Sequence, residues 1–221
     1  MTENVKQNLT PDQLEDYYIF QSPIYKIDKK QFLDKVSEVA NESLKVVDNE
    51  IEYKLYPVNM SGDFSSDARV LDFSQYVLST AWNILKAQGY AMDLYDVGYT
   101  SMWLQDHHKS SNMEQHVHSD SHIVAFYFID VPENGCQLIV HDPRPGKVQI
   151  DLMQENMSDV SLSSRMVVIK PEPGDLIFTN SWLPHSFSRN GSEESTKFVH
   201  MNIVAFPVVP NSCETNKPEI I

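Results

Sequence analysis

Apolar residues recur at helical spacing between Lys30 and Asp48. Phe32, Val36, Val39, Ala40, Leu44 and Val47 fall on one stripe there, which predicts an amphipathic helix. A second helix is predicted from Asp72, whose side chain suits an N-cap. It continues through Tyr76, Val77, Ala81, Ile84 and Leu85 to Gly89, which suits a C-terminal cap. From Tyr95 onward the pattern changes to short runs rich in Val, Ile, Phe, Tyr and Trp. These predict strands at Tyr95 to Gln105, Ile123 to Val131, Cys136 to Val140, Met166 to Ile169, Asp175 to Thr179 and Phe198 to Phe206. Glu133-Asn134-Gly135, Pro143-Arg144-Pro145-Gly146 and Pro171-Glu172-Pro173-Gly174 supply the turns between them. Helices followed by evenly punctuated short strands predict a mainly β domain. The expected form is two antiparallel sheets packed as a double-stranded β-helix (jelly-roll, cupin-like), with the N-terminal helices buttressing one sheet.

The chain of 221 residues suffices for one well-buried domain, expected over residues 17–207, with flexible tails at 1–16 and 208–221. An apolar content of 41% is ordinary for a globular protein, and no apolar run approaches the roughly 18 residues of a membrane span. The N-terminus lacks a basic region followed by an apolar core, so no secretory signal is read and a cytoplasmic location is the expectation. A formal charge of -14 argues against general affinity for phosphate backbones, so no nucleic-acid partner is expected. Cys136 and Cys213 make neither a disulfide framework nor a zinc pattern, and both are expected as free thiols.

The candidate chemistry lies in the histidines. Side chains two apart on an extended strand share a face, so His116 and His118 can converge while Val117 packs the other way. His185 arrives from a distant strand end, and Pro184 stiffens the approach to it. Three ligands on one side of an ion leave its other positions open, as a non-haem Fe(II) oxygenase requires. His118-Ser119-Asp120 offers a competing register. A His-x-acid pair is the commoner choice in a facial triad, and composition alone favours His118 with Asp120.

With these residues in view, the chain resembles the 2-oxoglutarate and Fe(II)-dependent oxygenase superfamily. It is most similar to a His-x-His group found in marine bacteria and their phages. The matching stretches are His116-Val117-His118, Ala125 through Pro132, Asp142-Pro143-Arg144, Pro173 through Phe178 and Ser181 through His185. With Ile19 through Tyr25 they span roughly residues 17–207. The resemblance sets the register, because the interval from His118 to Pro132 matches the family's. It implies His116, His118 and His185 as metal ligands, with Asp120 the alternative.

It further implies Fe(II) and 2-oxoglutarate as cofactors and hydroxylation of a C–H bond as the reaction. The substrate class implied is a small molecule or peptide, prolyl targets included, and a homodimer is compatible with it. Relatives hold the distal carboxylate of 2-oxoglutarate with an Arg on the strand after the last histidine, where this chain has Thr196-Lys197. Lys197 would need a bulge to face inward, and Arg144 and Arg189 stand as further candidates. Tyr99, Ser101, Trp103 and Gln105 share a face in a regular strand, and the Trp103-x-Gln105 pair resembles the family's Trp-x-Asn, a resemblance that implies Gln105, with Tyr127 and Asn202, as lining of the cosubstrate pocket. Two alternatives stay open at this level: a metal-free jelly-roll binding or structural module, and a three-histidine dioxygenase that uses no 2-oxoglutarate.

Overall fold

The computed structural model describes residues 20–46, 58–146 and 152–208. The strands are β1 (Ile24–Asp28), β2 (Val58–Met60), β3 (Tyr95–His107), β4 (Met113–His116), β5 (Ile123–Asp130), β6 (Leu138–His141), β7 (Met166–Ile169), β8 (Asp175–Asn180), β9 (His185–Phe187) and β10 (Thr196–Pro207). The helices are α1 (Leu33–Val46) and α2 (Leu71–Ala87). Strand order is β1-β8-β5-β10-β3-β2 in a six-stranded sheet and β4-β9-β6-β7 in a four-stranded one. The pairings in both sheets are antiparallel. This is the double-stranded β-helix that the strand pattern predicts. Residues 1–16 and 209–221 of the expected tails, the predicted helix end at Val47 and Asp48, and Cys213 lie outside the described residues.

The large sheet is covered on both faces, which is why β5 reads as an unbroken apolar run rather than an alternation. Ala125, Tyr127 and Ile129 pack against α1 and α2 together with Val36, Val39, Phe73 and Val77. Val124, Phe126 and Phe128 instead meet Leu138, Val140 and Phe187 of the small sheet. Each fully buried side chain of this size contributes roughly 1.5–3 kcal/mol. The inter-sheet core is strongly aromatic: Phe187 stacks on Phe198 at 4.4 Å, and Phe126 meets both edge-on.

Helix α2 starts differently from the prediction. Asp72 lies within its first turn, and the capping carboxylate is Asp67, which accepts the Arg69 N–H at 2.9 Å before a short 3₁₀ turn leads into the helix. At the other end Gly89 follows the cap residue Gln88 with φ +94°, and the Tyr90 N–H reaches the Leu85 carbonyl, closing a Schellman motif. Gly174 also needs its positive φ of +91°, and a Cβ there would meet Lys30 at 2.5 Å. That close approach ties the turn before β8 to the entry of α1 through the Lys29 N–H to Gly174 carbonyl bond of 2.8 Å.

Candidate metal centre

His116 closes β4 directly opposite His185, which opens β9. His118 lies just beyond β4 and keeps the extended course, its N–H donating to the Ser181 carbonyl at 3.0 Å. Val117 points away between them and is exposed rather than packed. One ring nitrogen from each of His116, His118 and His185 lies within 4.8 Å of the others. The rings of His116 and His185 are 4.5 Å apart, and those of His118 and His185 stack 5.2 Å apart.

Hydrogen bonding fixes which nitrogens face the cluster. His116 Nδ1 lies 2.7 Å from the Glu114 carbonyl and His185 Nδ1 lies 3.0 Å from the Leu183 carbonyl. A carbonyl only accepts, so each Nδ1 carries the proton and each Nε2 keeps its lone pair. The Nε2 atoms of His118 and His185 are buried and without a hydrogen-bond partner. An unsatisfied buried polar atom costs about 1–3 kcal/mol, and a metal ion at the point of convergence removes that cost. Burial first, then neighbouring His116, lowers the His118 pKa to about 4, with Asp120 opposing. Burial likewise lowers His185 to about 3 against the opposing Leu183 hydrogen bond, with His116, His118 and His141 lowering it further. Both imidazoles are therefore neutral at neutral pH, the state that binds metal.

Asp120 is not part of this cluster. Its carboxylate accepts from Asn202 Nδ2 at 3.3 Å and from Thr100 Oγ1 at 3.3 Å. Asn202 belongs to a hydrogen-bonded line along the inner face of β3 and β10. His107 Nε2 meets Gln105 Oε1 at 3.0 Å, Gln105 Nε2 meets His200 Nδ1 at 3.2 Å, and His200 Nε2 meets Asn202 Oδ1 at 3.1 Å. The amide ends decide the tautomers: His107 and His200 both carry their proton on Nε2. Trp103 stacks on His200 at 4.2 Å, and the His200 ring lies 4.8 Å from that of His118. Gln105 and Asn202 thus hold His200, the ring that packs on His118, with Trp103 and His107 beside them. The sequence signal for these is the alternation Trp103-x-Gln105-x-His107 and Phe198-x-His200-x-Asn202 within the two strands.

Other expected residues lie elsewhere. Tyr127 faces the helices, its hydroxyl donating to the Lys29 carbonyl at 2.8 Å and its ring against Phe73. The pairing of β10 with β5 does shift between Lys197 and Phe198, yet Lys197 extends to Asp130 at 3.4 Å and Asn41 of α1 at 3.2 Å. Neither residue lines the space between the sheets, which corrects the cosubstrate role expected of both. Tyr99 also leaves the shared face, because the register of β3 against β10 skips Thr100 and turns Tyr99 toward α2, where its hydroxyl donates to Ser74. Arg144 forks onto Asp142 at 2.9 and 2.7 Å, at the rim of a cavity beside β6.

Residues 101–199 match a family described as "Putative 2OG-Fe(II) oxygenase". No curated protein sequence matches the chain. Among solved structures, a Pseudomonas putida prolyl-4-hydroxylase superposes with a TM-score of 0.53 at 14% identity, covering 83% of this chain and 92% of that one. SnoN, a non-heme alpha ketoglutarate dependent epimerase from nogalamycin biosynthesis, gives 0.52 at 13% identity, covering 83% and 78%. A Trichoplax adhaerens prolyl hydroxylase, solved with a hypoxia inducible factor peptide, gives 0.50 at 12% identity, covering 81% and 82%. At these identities the structural likeness speaks to the fold.

Proposed function

We infer that this chain, whose residues 101–199 match the family described as "Putative 2OG-Fe(II) oxygenase", is such an oxygenase and hydroxylates a C–H bond of a small-molecule or peptidyl substrate at an iron held by His116, His118 and His185. The observation that carries the reading is the pair of buried, partnerless Nε2 atoms on His118 and His185, which converge with a nitrogen of His116. Their donor set fits Fe(II): three neutral imidazoles bind the ion and leave its remaining positions for oxygen ligands. When bound, Fe(II) and 2-oxoglutarate supply the oxidising chemistry by reducing O2 as the 2-oxo acid is decarboxylated.

The protein's own residues bind, orient and dry the site. The Glu114 and Leu183 carbonyls hold the rings of His116 and His185 in one tautomer, and groups of this kind set metal affinity. His200 packs against His118 and is itself fixed between Gln105 and Asn202. Phe126, Phe187 and Phe198, each buried, close the space between the sheets to water. The prolyl hydroxylases that share this fold support keeping a peptidyl target within the proposal. The family match favours the 2-oxoglutarate-dependent enzyme over a metal-free module or a 2-oxoglutarate-independent dioxygenase.

Two measurements test the reading. Iron analysis after anaerobic loading is expected to give one Fe(II) per chain in wild type and none in His185→Ala. Succinate release from 2-oxoglutarate, followed with a panel of peptides and small metabolites, is expected to rise with a substrate that gains one oxygen by mass spectrometry. Absence of bound iron, or product without added oxygen, would refute it.

A further inference from the structure

Asp106 stands on β3 between Gln105 and His107, which face the space between the sheets, so its own side chain turns to the helix side of the large sheet. There it is paired in register with Asn59 of β2 and Lys197 of β10. The Asp106 side chain is 7% exposed, and its Oδ1 is buried with no hydrogen-bond partner among the described residues. Lys197, the cation next to it in the sheet, reaches instead to Asp130 at 3.4 Å and to Asn41 Oδ1 at 3.2 Å.

His108 does not neutralise Asp106 either. Its Nε2 lies 3.5 Å from Asp106 Oδ2 but 2.6 Å from Asn59 Nδ2, and an amide nitrogen only donates. Nε2 therefore keeps its lone pair, and the ring proton sits on Nδ1, 3.1 Å from Ser195 Oγ. A neutral imidazole that turns a lone pair toward a carboxylate gives it no hydrogen bond. A buried charge with neither a cation nor a hydrogen bond is costly, so the position calls for a cation from outside the chain.

Such a cation has room. Asp106 lines a cavity of about 620 Å³ together with Asp130, Glu194 and Lys197, and the apolar part of its wall is Ile129, Val131, Pro132 and Pro173. Three carboxylates thus share one lysine, which is already engaged. These acids do not gather as metal ligands: among the described residues, the group of His, Cys, Asp or Glu side chains whose donor atoms converge within 4.8 Å is His116, His118 and His185. Spread carboxylates beside an apolar wall suit a cationic nitrogen on an aliphatic stem, which packs its carbons on the wall and brings its charge to the acid.

We propose that this cavity is an alkylammonium-binding site, in which Asp106 receives the ammonium, exposed Glu194 adds attraction, and Ile129, Val131, Pro132 and Pro173 hold the aliphatic stem. It lies on the opposite face of the large sheet from the histidine cluster and does not depend on the iron reading. The ammonium could be that of a free amine or of a lysyl side chain in a peptide.

The test is calorimetric titration of the full chain at about 0.15 M salt, which screens exposed charges. The probes are butylamine, Nα-acetyl-lysine amide and, as the uncharged control, butan-1-ol. Saturable binding of an amine, none of the alcohol, and weakening of the amine by roughly tenfold or more in Asp106→Asn are expected. Wild-type affinity is expected in Glu155→Gln, which removes the same charge elsewhere on the surface, and in His185→Ala, which disables the histidine cluster. Glu194→Lys leaves the buried acid in place, should weaken the amine by about tenfold, and decides the question if Asp106→Asn fails to fold. Tighter binding of butylamine assigns the site to a free amine, and tighter binding of the lysine amide assigns it to a peptide side chain. Lack of saturable amine binding in wild type, or wild-type affinity in Asp106→Asn or Glu194→Lys, would overturn the site while leaving the iron reading intact. Loss of amine binding in His185→Ala would place the amine at the histidine cluster and overturn it as well.

Discussion

His185 Nδ1 donates to the carbonyl of Leu183 two residues before it, at 3.0 Å, so the ring is locked by the backbone that Pro184 stiffens. The lone pair of Nε2 is thereby committed to the cluster before any ion arrives. Pro184→Gly is expected to leave the ligand in place but loosen its approach, weakening Fe(II) about tenfold or more. Competition with a chelator dye reads this directly, and unchanged affinity would show that the stiff approach contributes nothing.

Asp120 and His116 separate the two ligand registers. With Asp120 held by Asn202 and Thr100, Asp120→Asn should retain one Fe(II) per chain, whereas His116→Ala should lose it. The reverse pattern would make Asp120 the ligand.

The stability of the iron-free protein should depend on pH through its buried histidines. His107 is pushed down to about 4 by burial, with His108 adding to it, from an ordinary value of 6.5. His118 is likewise lowered to about 4 and His185 to about 3, again mainly by burial. Below pH about 6.5 the unfolded chain takes up protons that the native state refuses, so unfolding gains and stability falls progressively toward pH about 4. Thermal melts should be flat from pH 8 to about 7 and drop steadily below; a constant midpoint down to about pH 4.5 would contradict the neutral, buried placement.

Gln105 links two buried imidazoles. Gln105→Leu leaves His107 Nε2 and His200 Nδ1 without partners, a loss of about 1–3 kcal/mol by denaturant unfolding. Because His200 packs on His118, the same variant should also weaken Fe(II). Destabilisation without any change in iron affinity would make the line of hydrogen bonds purely structural.

Tyr127→Phe and Lys197→Ala test the placement of two residues outside the inter-sheet space. Both should leave 2-oxoglutarate affinity unchanged, while Tyr127→Phe costs about 0.5–1.5 kcal/mol through its lost bond to Lys29. A tenfold loss of 2-oxoglutarate binding in either would return that residue to the pocket.

The architecture was legible because β5, β7, β8 and β10 are long or apolar enough to register as strands, and the turns at Asn134-Gly135 and Pro173-Gly174 separate them. β2 and β9 span only three residues each and carry too little pattern to register, and β4 ends at a histidine. The three-histidine convergence was legible from spacing together with family resemblance. Facing was harder. β5 is apolar on both sides, so nothing in its sequence tells Tyr127 from Phe128, and the skipped residue at Thr100 flips Tyr99 against simple alternation. His107 follows polar Gln105 and Asp106 in the sequence, yet it is fully buried against Phe187 and Phe198, with Gln105 satisfying one nitrogen.

The most direct test of the central claim is anaerobic addition of 2-oxoglutarate to the Fe(II)-loaded protein, monitored for the weak visible charge-transfer band of the metal chelate. The band should appear in wild type and be absent from His185→Ala. Iron retained without a band, or a band that survives loss of His185, would contradict an Fe(II) centre built on these three histidines that takes 2-oxoglutarate.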